Sequence, residues 1–119
     1  MHPSITKFQA PLFRIPIYVC TEPKEAEPFF PVDYEVDLSA KGLCVEFWPT
    51  HGPYSVWILL NSLEPSTCCH ESVHAAINIM HNAGAGFTYD EQETLAYLTD
   101  NIFSFTREAV LAHLERIGK

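Results

Sequence analysis

A His-Glu-x-x-His sequence, His70-Glu71-Ser72-Val73-His74, lies in a stretch free of Gly and Pro from Ser66 to Ala83, and it constrains this chain more than any other feature. On a helix, residues four apart share a face, so His70 and His74 can offer two imidazoles to one ion while Glu71 reaches a water beside it. Metal-assisted hydrolysis needs this set: two neutral nitrogens, a third protein donor, an open position for water and a carboxylate to take the water's proton. A helix is therefore expected here, and a third donor must come to it from elsewhere in the chain.

The rest of the composition narrows the setting. The 119 residues, 47% hydrophobic, suit one domain spanning 1–119 with one core. A net charge of −8 with only seven Lys and Arg argues against nucleic acid as a partner, because a phosphate backbone needs a basic patch. No run approaches the roughly 18 apolar residues of a membrane helix, and the N-terminus lacks an apolar signal core, so a soluble, cytoplasmic protein is expected. Cys20, Cys44, Cys68 and Cys69 form no secreted disulfide pattern and read as buried, reduced thiols. A metal-bound Cys68 or Cys69 would need unusual geometry, since helix residues one or two apart from His70 do not share its face.

Taken in order, residues 1–12 read as an extended arm, with Pro3 and Pro11 and little periodicity. Phe13, Ile15, Ile17 and Val19 then alternate as in a strand; Pro16 puts that strand at a sheet edge or turns its donor-free side outward. Thr21 to Pro31 reads as a loop whose Phe29-Phe30 pair pins it to the core or lines a cleft. A hairpin is expected from the alternations Tyr34, Val36, Leu38 and Leu43, Val45, Phe47 around Ser39 to Gly42. After a second turn at 49–53, Tyr54 to Leu60 is the most apolar strand. The fold class expected is α+β: a small, mostly antiparallel sheet of three or four strands packed on the motif helix and two further C-terminal helices.

Ser66 or Thr67 is expected to cap the motif helix, Gly84 to end it in a left-handed conformation, and Cys69, Val73, Ala76, Ile77 and Met80 to form its apolar stripe. Thr88-Tyr89-Asp90-Glu91 has the capping-box pattern for a second helix, and Val110, Leu111, Leu114 and Ile117 mark a third, amphipathic one over 106–117.

His81 shares an angular face with His70 but lies about 16 Å along the helix axis, too far to share an ion. A metzincin would need Gly and His where this chain has Ile77 and Met80. A glutamate from the second helix is the remaining source. If Thr88 caps that helix, the capping box engages Glu91 and leaves Glu93 as the first choice, with Glu91 next. Tyr97 and Asp100, one and two turns beyond Glu93, could orient a ligating imidazole. His51, Tyr54, His81 and Tyr89 are candidates by residue type for stabilising an oxyanion.

The pattern His70-Glu71-x-x-His74, a glycine-bearing loop, then Glu93-x-x-Ala96-Tyr97-Leu98 resembles the gluzincin metallopeptidases, whose third ligand is a Glu in Glu-x-x-Ala-Asp or Glu-x-x-Ala-Asn. It looks closest to very small members from bacteriophages and prophages in which Ala-Tyr follows the glutamate, and more distantly like the minimal ImmA and IrrE peptidase domains, which cleave repressor proteins. The resemblance covers Ser66 to about Ile102 and departs at Tyr97, where larger gluzincins carry Asp or Asn. It implies a zincin-like fold, Zn2+ as cofactor, Glu71 as general base, a peptide or protein substrate, and the cytoplasm of a bacterial host. It also implies that the strand before the helix forms the cleft rim, through Tyr54, Val56 and Trp57.

Two blander readings stand beside this one. Zinc can be purely structural, clamping helices where the core is small. Alternatively, a zinc-stabilised phage-type protein can bind a host factor without turnover. Trp48, Trp57, Phe29 and Phe30 suit core packing as well as a substrate pocket, and nothing in the residues fixes the oligomeric state.

Overall fold

The apolar run Ser-Val-Trp-Ile-Leu-Leu is buried at all six positions, as a strand with neighbours on both sides and layers on both faces requires. The computed structural model describes residues 1–31, 34–47, 53–86 and 88–118. Among them are strands β1 (Ile5–Gln9), β2 (Pro16–Cys20), β3 (Gly42–Phe47) and β4 (Ser55–Leu60), and helices α1 (Pro65–Asn82) and α2 (Gln92–Arg116). Short three-ten helices span Pro23–Phe29 and Tyr89–Glu91.

The chain is a small α+β unit whose four strands lie in the order β1-β2-β4-β3. β1–β2 and β3–β4 are antiparallel, but β2 and β4 run parallel, so the sheet is mixed and the mostly antiparallel expectation is corrected. The expected hairpin is corrected too: Tyr34 to Leu38 carries no strand, and β3 pairs with β4 in a register from Gly42↔Leu60 to Phe47↔Ser55. The arm over 1–12 contains an edge strand, β1. β2 is interior; Pro16 is tolerated as its first residue, opposite Gln9, before the ladder with β4 begins at Ile17. The strand starts later than its alternation suggests because Phe13 and Arg14 take left-handed φ values of 64° and 51°. The segment read as a loop holds the Pro23–Phe29 helix.

Side chains alternate across the sheet and divide the interior into two layers. Ile17, Val19, Val56, Ile58 and Leu60 face the helices, where they pack with Cys68, Ala75, Ile79, Met80, Leu98, Ile102 and Val110. Trp57, Leu59 and Cys20 face the other way, against Ala26, Phe30 and Val36, with Tyr18, Leu43, Val45 and Phe47 around them.

The buried stripe of α1 runs through Cys68, Ser72, Ala75, Ala76, Ile79 and Met80. It sits about one residue N-terminal of the expected stripe, leaving Cys69 and Val73 exposed and carrying Glu71 into the sheet side. The helix cap is Glu64 with Pro65 in the first turn, in place of Ser66 or Thr67. At its end Gly84 is left-handed, φ 76°, and the Ala85 and Gly84 amides donate to Met80 O at 2.9 Å and His81 O at 3.1 Å, a Schellman closure.

The two C-terminal helices of the sequence reading are one 25-residue helix, α2. The capping box reduces to a side-chain bond, Thr88 Oγ1 donating to Glu91 Oε1 at 2.8 Å, ahead of the three-ten turn. No helix among the described residues is long and apolar enough to cross a membrane.

Candidate active site

His70 and His74 stand one turn apart on the exposed side of α1, their Nε2 atoms 3.2 Å apart. Two nitrogens on one tetrahedral zinc, each about 2.0–2.1 Å from it, stand about 3.3 Å apart. The spacing suits either a shared ion or a single N–H···N bond. Glu71 turns the other way, toward the sheet; it is 6% exposed, and its Oε2 lies 4.0 Å from His70 Nε2.

Burial beside β3 raises the Glu71 pKa above its ordinary range, and the two neighbouring imidazoles pull it part of the way back. This carboxylate therefore holds a proton more readily than a surface glutamate, a property suited to a proton-transferring group.

The opposite wall is β3. By alternation Gly42, Cys44 and Glu46 face α1 while Leu43, Val45 and Phe47 face the far layer. Together with His70, Glu71, His74 and Asn78 they enclose an open cleft of about 470 Å³. Asn78 Nδ2 donates to Cys44 Sγ at 3.6 Å. Burial first, then the Glu71 charge, pushes the Cys44 thiol up to about 12, so it stays protonated at neutral pH. At the far end Tyr54 donates its hydroxyl to Glu46 Oε2 at 2.5 Å and to Asn78 O at 3.3 Å. Burial and the Glu46 carboxylate both push the Tyr54 pKa up.

The strand expected on the rim, β4, lies inside the sheet between β2 and β3. Val56 and Trp57 are buried, at 0% and 4% exposed, and Trp57 stacks on Tyr18 in the opposite layer with ring centroids 4.3 Å apart. Tyr54, just ahead of β4, does reach the cleft. The rim itself is β3, whose outer edge no other strand covers among the described residues.

His70, Glu71 and His74 are thus gathered, but a third donor is not. Among the described residues no group of three His, Cys, Asp or Glu side chains is placed to hold one metal ion. Glu93 is exposed in the first turn of α2, about 140° or more around the helix from the buried Leu98 and Ile102. Glu91 is engaged by Thr88. Tyr97 is 50% exposed, and Asp100 lines an apolar groove between the helices with Cys69, Val73, Leu95, Ala96 and Phe103. Neither is hydrogen-bonded to His70 or His74; side chains one turn on bond only their backbone carbonyls, Asn101 to Tyr97 O and Ser104 to Asp100 O. His81 and Tyr89 are exposed, and His51 and Trp48 lie outside the described residues. The four cysteines are free thiols, Cys69 exposed rather than buried.

Gly42, Cys44, Glu46 and Asn78 did not emerge as site residues from sequence. Their signal was nonetheless present: Asn78 continues the four-residue spacing of His70 and His74, and the three β3 residues are the less apolar half of a period-2 strand. The chain matches no protein-family model, no curated protein and no solved structure.

Proposed function

We propose that this chain is a small zincin-like, zinc-dependent peptidase in which His70 and His74 supply two ligands and Glu71 is the general base. The observation that carries the reading is the 3.2 Å separation of the two Nε2 atoms with the buried Glu71 carboxylate beside them on one cleft wall. Glu93, with no side-chain hydrogen bond among the described residues, is the proposed third ligand, because Glu91 is committed to Thr88. Bound zinc would supply Lewis acidity toward a carbonyl and toward water.

The chain's own residues do the rest. An extended peptide adds to the outer edge of β3, which no strand covers among the described residues, and its scissile amide is so presented to the His70–Glu71 wall. Glu71, held in a desolvated position, takes the proton of the attacking water and returns it to the leaving amine. Tests with the Glu71→Gln variant divide the roles: zinc retention with loss of peptide cleavage supports the assignment, and a cleaving variant removes Glu71 from it.

A second reading is a non-catalytic zinc-stabilised protein that binds a host factor. A host protein still captured with unchanged affinity by a Glu71→Gln variant, with no cleavage by the wild type, would select this reading.

A further inference from the structure

The cleft between α1 and β3 is electrically lopsided. Around the histidines, hydrolysis uses Glu71 but leaves Glu46 without a task. Glu46 sits two residues beyond Cys44 on the same face of β3, about 7 Å further along the strand, and lines the same cleft as His74 and Asn78. Among the described residues no Lys, Arg or His stands within ion-pair distance of its carboxylate. Lys41 lies at the opposite end of this wall, with Thr67 and His70.

What holds Glu46 is a neutral donor. The Tyr54 hydroxyl occupies one carboxylate oxygen, Oε2, and Tyr54 is in turn tied to the Asn78 carbonyl. Fixing one oxygen orients the carboxylate and leaves the other, with the Asn78 side chain nearby, to meet a ligand. A half-buried carboxylate of fixed orientation, with no cation paired to it among the described residues, matches a guanidinium or ammonium group, through a charge-assisted hydrogen bond that a neutral or acidic side chain cannot make.

Resting on the peptidase reading for the position of the bound strand, we infer that Glu46, oriented by Tyr54, is a specificity residue that selects a substrate with a basic side chain at the Asn78 end of the cleft. Glu46 touches no reacting atom in this scheme. It sets which segment of an extended peptide comes to rest beside His70 and Glu71, and acidic segments are rejected by its charge and that of Glu71.

The test separates selection from hydrolysis. Labelled extended peptides that differ only in one central residue, Arg, Lys, Leu or Glu, are titrated with the full chain by fluorescence anisotropy under chelator, and their cleavage is followed separately with zinc supplied. The expected result is binding of the Arg and Lys peptides about tenfold tighter than the Glu peptide, the strength of one charge-assisted contact. That preference should collapse in Glu46→Gln and invert in Glu46→Lys. It should weaken in Tyr54→Phe, which frees the carboxylate without removing charge, and persist in Glu115→Gln, which removes one negative charge away from the cleft.

A preference unchanged by Glu46→Gln, an equal loss in Glu115→Gln, or no binding of any basic peptide at millimolar concentration would each overturn the inference. Peptides bound with a Glu46-dependent preference but never cleaved would sink the peptidase reading and leave the basic-ligand site standing. Cleavage with no such preference would do the reverse. Circular dichroism of each variant, with two substitutions at Glu46, keeps misfolding from passing for loss of selectivity.

Discussion

A Cβ atom added to Gly42 would stand 2.8 Å from Cγ and 3.0 Å from Oε2 of Glu71, and 2.9 Å from Thr67 Cγ2. The edge strand approaches α1 this closely because residue 42 has no side chain, and the buried carboxylate of Glu71 occupies the space so gained. Gly42→Ala must displace Glu71, Thr67 or the strand. The expected cost is about 1–3 kcal/mol of stability. Peptide cleavage should fall by about tenfold or more while zinc content stays, because the atoms nearest the added Cβ belong to Glu71 and Thr67 and not to His70 or His74; a misplaced general base costs at least that much. Unchanged cleavage would show that Glu71 does not depend on this contact.

Glu71 also has a pH signature in the metal-free protein. Its pKa is raised by burial, so the folded state holds the Glu71 proton more tightly than the unfolded chain does. Stability from this group is therefore present below the ordinary carboxylate pKa of about 4.3 and is lost as pH rises through the raised value. Under chelator, Glu71→Gln should melt a few degrees above wild type at neutral pH, with the difference shrinking toward pH 4. A difference that grows on acidification would contradict the sign.

His113 is 8% exposed, and its Nδ1 has no hydrogen-bond partner among the described residues. A buried, unpaired polar atom costs about 1–3 kcal/mol relative to a satisfied one. His113→Leu, close in volume, should leave stability equal or raise it by up to about 1 kcal/mol in chemical denaturation. A loss above about 2 kcal/mol would mean that the imidazole makes a contact worth more than its desolvation.

Ser104 lies exposed in the middle of α2. If the chain had two separate C-terminal helices, proline there would fall in a connection and cost little. In a continuous helix Ser104→Pro removes a backbone bond and clashes with the preceding turn, for about 3 kcal/mol. Urea unfolding with helix content by circular dichroism decides between the two.

That helix shows why part of the fold was hidden. Thr99, Asn101 and Ser104, ahead of the amphipathic stretch over 106–117, are residue types that disfavour a helix interior. Each instead sends its side chain back to a carbonyl four residues earlier, Leu95, Tyr97 and Asp100, at 2.8, 2.8 and 3.1 Å, and the helix runs through. β1 escaped notice for a different reason. Its two apolar residues, Ile5 and Phe8, are three apart and serve opposite layers, so no period-2 pattern forms. The parallel pairing of β2 with β4 depends on contacts between segments more than thirty residues apart, which local patterning does not encode. What local chemistry does dictate was legible: the buried strand over 55–60, the motif helix, the left-handed Gly84, and the shared face of His70 and His74. The cleft needed β3 to be placed first, and Gly42, Cys44 and Glu46 acquire meaning only opposite α1.

Zinc content per chain, measured on untagged protein after zinc loading and gel filtration, with wild type beside His74→Ala and Glu93→Ala, tests the central claim most directly. The proposed site requires about one zinc per wild-type chain, loss in His74→Ala, and loss or marked weakening in Glu93→Ala. A wild type that holds no zinc, or a His74→Ala variant that retains it in full, would contradict a metal centre on His70 and His74.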